Sequence, residues 1–460
     1  MNSLTQYLDI YRSNADLINN GSAPALNAMR AEAVRTLEDK RLPVKGEEGY
    51  ERTDVNAMFA PDYGLNIMRL AIPTDVAASW RCDIPNMSTL LGVVVNDSFA
   101  PSARLNDLLP SGVTFCSLRQ AAIDNPRLIE RYYGKTAPLT DPAVAVNTLL
   151  AQDGVFIHVE AGVKLMKPLQ LLNIFSSPAP MLAPRRILIV MEEGSEAQLL
   201  ICDHTQHPDT AYLSAEVIEI SLAENARLDY CCIEESSAAT TRLSQIYATQ
   251  NEGSKLSVNL STLTSGITRN ELHIDTVEER CDTLLTGMAI ASAKMHVDNN
   301  VNLRHLAPRC HSSQLFKYVA DDSARCAFQG LILVDNDAPF TDASQTCRSI
   351  LASPDARMHA KPQLEIYNDE VKCSHGATTG QLDQEALFYM RTRGIPEKQA
   401  RTMLMQAFMA DVIDTVTIEG LRDRMRHLVE KRFSGVSANC ADCRSACRDI
   451  QDHTQTNDND

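Results

Sequence analysis

A mainly β solenoid core between two helical parts is the fold this 460-residue sequence predicts, and three observations predict it. From about residue 141 to residue 380, short alternating β runs follow one another. A local turn signature recurs through that region, mostly at roughly 28 to 32 residues, the range of a repeat architecture. On either side, apolar residues instead fall at spacings of three and four, the period of a helix packed on one face. The boundaries read as 1–140, largely helical; 141–380, solenoid; 381–433, helical; and 434–460, a polar, acidic tail whose composition predicts disorder.

Taken in order, residues 23–42 carry Leu26, Met29, Ala33, Val34 and Leu37 as an amphipathic stripe. Ser22 and Pro24 serve as start signals and Pro43 as the stop. Residues 52–106 are mixed and resolve into no single period. The β runs include 155–159, 186–191, 215–222 and 329–334. The signature is a small residue, a long polar one and an apolar one, after an acidic or polar turn. It appears as Ala197-Gln198-Leu199, Ala226-Arg227-Leu228, Ser254-Lys255-Leu256, Ala293-Lys294-Met295, Ala324-Arg325-Cys326 and Ala356-Arg357-Met358, with a degenerate copy near Cys281. Each unit is too short for a strand–helix–strand crossover. A β-sandwich explains the strands; stacked rungs also explain the repeated turn. After Gly380 the period returns to helix: 383–393 with Asp383 and Gly394 as caps, a second helix opened by Pro396, and a third over about 417–432.

Composition bounds the function. Apolar residues make up 44% and charged residues 22%, as in ordinary globular proteins. A net charge of -16 argues against nucleic acid as the main ligand. Aromatics at 5%, with Trp80 the single tryptophan, are thin for a base- or sugar-stacking surface. The first residues have neither a basic nor an apolar leader pattern, and the aliphatic runs are far shorter than a membrane span. The expectation is a cytoplasmic chain whose thirteen cysteines are reduced thiols. For Cys202, Cys231 and Cys326, inside strand-like runs, that means small buried hydrophobes.

Three groups could carry chemistry. Cys373 and His375 are one residue apart, so on a strand the thiol and imidazole share a face, and Gly376 suggests a nearby turn. Cys347, about one repeat earlier, belongs to the neighbouring rung. Thiolate with imidazole suits iron, zinc or cluster ligation, but two or three donors do not close a site. Cys440, Cys443 and Cys447, with His453 beyond, have metal-ligand spacing in a tail without an apolar scaffold. They read equally as a flexible, oxidation-prone segment. His305, Cys310 and His311 flank Pro308 and read as corner residues. Phosphate-binding, dinucleotide, zinc-protease and nucleophile-elbow motifs are all missing from the sequence.

Three stretches then carry a family resemblance. They are Asn300 to Leu315, with His305-Leu306-Ala307-Pro308; Gln345-Thr346-Cys347-Arg348-Ser349-Ile350-Leu351; and, most specific, Lys361-Pro362-Gln363-Leu364-Glu365-Ile366-Tyr367 followed by Cys373-Ser374-His375-Gly376-Ala377-Thr378, Leu387-Phe388-Tyr389 and Arg393-Gly394-Ile395. Together they resemble the SufBD family of iron–sulfur cluster assembly scaffolds over roughly the last two-thirds of the chain. The Cys-Ser-His-Gly-Ala-Thr stretch is similar to the SufD branch; the SufB branch carries acidic residues around its histidine.

The resemblance implies a right-handed parallel β-helix and a non-catalytic role. It also implies a complex with a SufB-like paralogue, SufC-like ATPases and a sulfur donor system. On this reading a transient iron–sulfur cluster is shared with the partner, His375 and Cys373 face the heterodimer interface, and the complex is associated with a reduced flavin that no residue here locates. ATPase docking would fall on the C-terminal helices, where Met403, Leu404 and Phe408 form an apolar stripe that could equally pack on the chain's own core. The group at Cys440, Cys443 and Cys447 matches no part of the family pattern. Two readings of other classes stand beside it: a β-solenoid carbohydrate-active enzyme, and a metal or redox sensor working through the C-terminal cysteines.

Overall fold

The computed structural model describes residues 3–74, 76 and 87–434. Within them the chain winds into a parallel β-solenoid of about eight turns, each turn giving one strand to each of two sheets. One sheet holds β1 (Leu90–Val95), β5 (Leu169–Phe175), β7 (Glu196–Thr205), β9 (Arg227–Glu235), β11 (Lys255–Thr264), β13 (Asp282–Ala291), β15 (His311–Ala320), β17 (Asp342–Leu351) and β19 (Lys372–Gly380), with β2 (Ser98–Ala100) beside β1. The other holds β3 (Val113–Ser117), β4 (Val155–Val159), β6 (Met181–Met191), β8 (Tyr212–Leu222), β10 (Thr240–Gln250), β12 (Ile267–Thr276), β14 (His296–His305), β16 (Arg325–Val334) and β18 (Arg357–Ile366). The predicted solenoid is thus the observed core.

The sheet begins earlier than the sequence suggested. β1 lies inside the unassigned 52–106 stretch and pairs in parallel with β5 from Leu90↔Leu169 onward. The predicted 23–42 helix is broken into Pro24–Asn27 and Arg30–Asp39. Met29 stands at the break, and its sulfur lies 2.2 Å from where a Cβ on Gly134 would sit.

The corner after each even-numbered strand explains the recurring turn. Gly162, Gly194, Asn225, Gly253, Arg280, Arg309 and Phe340 all have φ between 55° and 72°. Gly194, Asn225 and Gly253 each donate a backbone N–H to the residue just before the next such corner: Glu224, Glu252 and Glu279. From Gly194 on, the following position is small and buried: Ser195, Ala226, Ser254, Cys281, Cys310 and Thr341. The repeat is therefore a left-handed corner residue, a small residue that fits inside the bend, and the first residue of the next strand. The signature found by sequence mixes both sheets. Its first three copies start β7, β9 and β11, its last three start β14, β16 and β18, and the long interval is the crossing between sheets.

Strands in the middle of the solenoid are buried on both faces, as parallel sheets with covered outsides are. Leu4, Tyr7, Val144 and Val146 from the N-terminal part pack against Leu213, Val217 and Tyr247 on one sheet. Val412, Ile413, Leu421 and Met425 from the C-terminal helices (Glu397–Ile413 and Leu421–Ser434) pack against Cys202, Ile233 and Met288 on the other. A third helix, Gln384–Thr392, is capped by Asp383, whose carboxylate accepts from the backbone N–H groups of Glu385 and Ala386.

The two ends differ. At the first end, β2 and β3 run antiparallel to their neighbours and close the sheets. At the other end β18 and β19 are the outermost strands of both sheets, so two ladder edges lie free side by side among the described residues.

Candidate functional site

The open end carries the sequence-predicted pair. Along β17 burial alternates, with Ala343, Gln345, Cys347 and Ser349 turned inward between the sheets. β19 is in register with it, so Cys373 lies over Ala343, His375 over Gln345 and Ala377 over Cys347. Because side chains alternate along a strand, Cys373 and His375 share the inward face. No rung covers that face, so an inward position becomes an exposed one. His375 is exposed, and its imidazole has no hydrogen-bond partner among the described residues. Cys373 is half-buried against a small cluster with Val334, Ala338 and Ala343. Burial, with Asp342 nearby, raises its thiol above the ordinary value.

Cys347 does sit on the neighbouring rung, but beneath Ala377 and one inward position further along than His375. It is 1% exposed, and burial together with Cys326 pushes its thiol up to about 12. Such a thiol stays protonated in the chain by itself. The residue directly beneath His375 is Gln345, which sequence reasoning passed over because a glutamine inside a β run carries no motif.

At the same end, a groove of about 540 Å³ lies between β18 and the segment around residue 50. Glu51, Arg52, Phe328, Met358, Lys361 and Thr379 help to line it. That segment is tethered: Arg269 is paired with Glu271 and Asp298, both at 2.6 Å, and donates to the carbonyl of Gly49 at 2.7 Å. Lys361 reaches Glu51 at 2.8 Å. Burial, then the charges of Arg52, Arg325, Lys45 and Arg357, lowers the His359 pKa. The surroundings of His359 are therefore locally basic, although the chain is acidic overall.

Among the described residues no three His, Cys, Asp or Glu side chains come together as a metal site. Cys373 and His375 are two donors at an open face, which a second surface can complete. The other predicted residues take structural places. His305 is buried at the end of β14, with Nε2 2.9 Å from the Ser312 hydroxyl. Cys310 stacks on Cys281 in the small-residue corner column; their mutual hydrogen bond raises Cys281 and lowers Cys310. His311 is exposed and meets Asp282 at 2.9 Å. The nine described cysteines are free thiols. Cys440, Cys443, Cys447 and the predicted disordered tail lie outside the described residues.

The C-terminal stripe does not form one surface. Phe408 packs towards the solenoid with its ring 4.6 Å from Lys317 Nζ, and Leu404 is partly buried. Met403 is 43% exposed, Phe388 68% and Tyr389 58%.

Comparison with known proteins agrees with this architecture. The SUF system FeS cluster assembly SufBD core domain matches residues 174–408, and the SufBD protein N-terminal region matches residues 1–171. An iron-sulfur cluster assembly SufBD family protein of Synechocystis is 28% identical over 411 residues, 88% of this chain and 90% of that protein. The iron-sulfur cluster assembly protein SufD of Escherichia coli is 30% identical over 290 residues, 62% of this chain and 68% of that protein. SufD of Bacillus subtilis is 25% identical over 416 residues, 88% and 94% of the two chains. This chain belongs to the SufBD family of the SUF iron–sulfur cluster assembly system.

Proposed function

We propose that this chain is a SufD-type scaffold subunit of an ATP-driven, cytoplasmic iron–sulfur cluster assembly complex, itself non-catalytic. Its partner is a SufB-like paralogue, and the joint lies at the open end of the solenoid. One observation carries the reading: His375 stands exposed on the last rung, two residues from Cys373, where both sheets end in unpaired edges. Exposed parallel edges are templates for strand addition. A paralogous solenoid meeting them end to end would bury His375 at the joint and supply the missing donors. The neutral imidazole would then ligate iron or the growing cluster, which is cargo and not a resident cofactor. Cys373 is a weaker ligand, since its raised thiol must first lose a proton.

ATP enters this scheme through SufC-like partner chains docked on the C-terminal helices, where Phe388, Tyr389 and Met403 are the exposed apolar side chains. Sulfur comes from a donor system acting through the complex, and a reduced flavin belongs to the same scheme without an assigned residue here. No helix among the described residues is long and apolar enough to cross a membrane.

The test is co-expression with SufB-like and SufC-like partners, followed by iron, sulfide and visible-spectrum analysis of the purified complex. His375→Ala is expected to leave the complex assembled and empty. A His375→Ala complex with the wild-type iron and sulfide content overturns the reading.

A further inference from the structure

The inward column that ends at His375 changes character near the open end. Read rung by rung, its register partners are Leu199, Tyr230, Val258, Leu285, Gln314, Gln345 and His375. The first four rungs are what a solenoid core ordinarily holds. The last three are polar, and Gln314 and Gln345 are 2% and 1% exposed. Two buried amides in an otherwise apolar column must be satisfied or they destabilise the fold.

They satisfy each other only in part. Gln345 Nε2 donates to Gln314 Oε1 at 2.8 Å. Gln345 Oε1 is buried and has no partner. With its N–H given to the rung before it, the amide's carbonyl oxygen is left to accept from another donor. The residue in register on the rung after it is His375, whose imidazole is also unpartnered among the described residues. The opposite sheet makes room for this amide. A Cβ on Gly330 would come within 2.2 Å of Gln345 Nε2, so any larger residue there would displace it.

We propose that Gln345 is a positioning residue for His375: its Oε1 accepts a hydrogen bond from one imidazole N–H. This selects one tautomer and leaves the other nitrogen unprotonated and directed out of the open end. Adjacent rungs are only about 4.8 Å apart, so the bond needs a change of His375 rotamer and no backbone movement. Histidines that ligate metals usually hold their second nitrogen in this way, on a carboxylate, carbonyl or water. The use of the pair in cluster assembly rests on the reading of His375 as a ligand; the hydrogen bond is a property of this chain alone.

The test therefore uses the full chain without partners, labelled with ¹⁵N-histidine, and reads the tautomer from the His375 ring-nitrogen shifts by NMR in mildly alkaline solution. An acceptor holds the proton on the ring nitrogen that faces it, so the wild type is expected to show one dominant tautomer. Gln345→Leu, which continues the apolar column, is expected to mix the tautomers. Gly330→Ala, which disturbs the amide from the other sheet, is expected to act in the same direction. Unchanged His375 ring-nitrogen shifts in both variants, with amide spectra that remain folded, overturn the proposal. A shifted His375 in Gln345→Leu, together with normal cluster content in the His375→Ala complex, would uphold the positioning role and refute the ligand reading.

Discussion

The Nζ of Lys317 on β15 lies 2.5 Å from a carboxylate oxygen of Asp411 and 2.7 Å from the carbonyl oxygen of Phe408. Lys317 is almost fully buried while Asp411 is largely exposed, so the charge pair itself is screened. What remains is a buried ammonium that pins the helix Glu397–Ile413 to the outside of a sheet. Lys317→Met keeps the stem and removes both hydrogen bonds. The expected cost is about 1–2 kcal/mol, with faster hydrogen exchange confined to the C-terminal helices. Exchange that accelerates uniformly over the chain, or not at all, would contradict a local tether.

Glu219 holds the N-terminal part in a comparable way. Its carboxylate pairs with Arg186, both 1% exposed, and accepts backbone N–H groups of Gly134, Thr136 and Ala137 at 2.9 to 3.1 Å. Removing one partner of a buried pair leaves the other charge unpaired. Glu219→Ala is expected to cost about 3–5 kcal/mol, read by denaturant unfolding. A loss below about 1 kcal/mol would mean that water replaces the carboxylate, and that the pair is not closed as described.

His204, at the end of β7, sets an acid limit on stability. Burial lowers its pKa to about 4, partly opposed by Asp203. A folded-state pKa below the unfolded value of about 6.5 means the unfolded chain takes up the proton first. The stability involved is therefore fully present above about pH 6.5 and is lost as pH falls towards 4. The corresponding shift is worth about 3 kcal/mol. His204→Gln is expected to flatten the stability profile between pH 4 and 6.5; a slope equal to that of the wild type would assign the acid sensitivity elsewhere.

The corner column makes a prediction about glycine. Gly194 and Gly253 both have φ near 65°, but a Cβ at Gly194 meets nothing within 4 Å, whereas at Gly253 it would lie 2.4 Å from Asn225 Oδ1. Gly194→Ala should then cost only the left-handed penalty of about 1–2 kcal/mol. Gly253→Ala adds a collision with the previous corner and should cost more. Equal losses in thermal unfolding would show that the Asn225 side chain simply moves aside.

These corners also explain what could be read from the sequence. The period survives because successive corners from Gly194 to Phe340 place one residue in the left-handed region and a small one after it. The register does not survive, because glycine, asparagine, arginine and phenylalanine all occupy that corner, and only the first two announce it. Ala293-Lys294-Met295 looked like Ala324-Arg325-Cys326, yet the backbone pairs His296 with Arg325, two positions away from the apparent match. β1 escaped notice because a single strand far from its partner β5 leaves no repeat to detect. At the site, Cys373 and His375 were legible as a shared face from their spacing. Gln345 was not, since its significance lies in being the register partner of His375, and register is a property of the fold.

The last prediction concerns that face. His375 is exposed and touches no hydrogen-bonding partner among the described residues, so replacing it should hardly change the stability of the isolated chain. Cys373 is half-buried beside Val334 and Ala343, so Cys373→Ser exchanges a weakly polar thiol for a hydroxyl within an apolar cluster. Its expected cost is about 1 kcal/mol. Cluster content in the complex should show the reverse order, with His375→Ala losing nearly all iron and Cys373→Ser retaining most of it. The contrast separates ligand from support: a stable chain that binds no cluster marks the ligand, and a weakened chain that still binds marks the residue behind it. Parallel measurement of unfolding midpoints and iron per complex for the two variants decides it, and matching losses of iron would make the thiol an equal ligand.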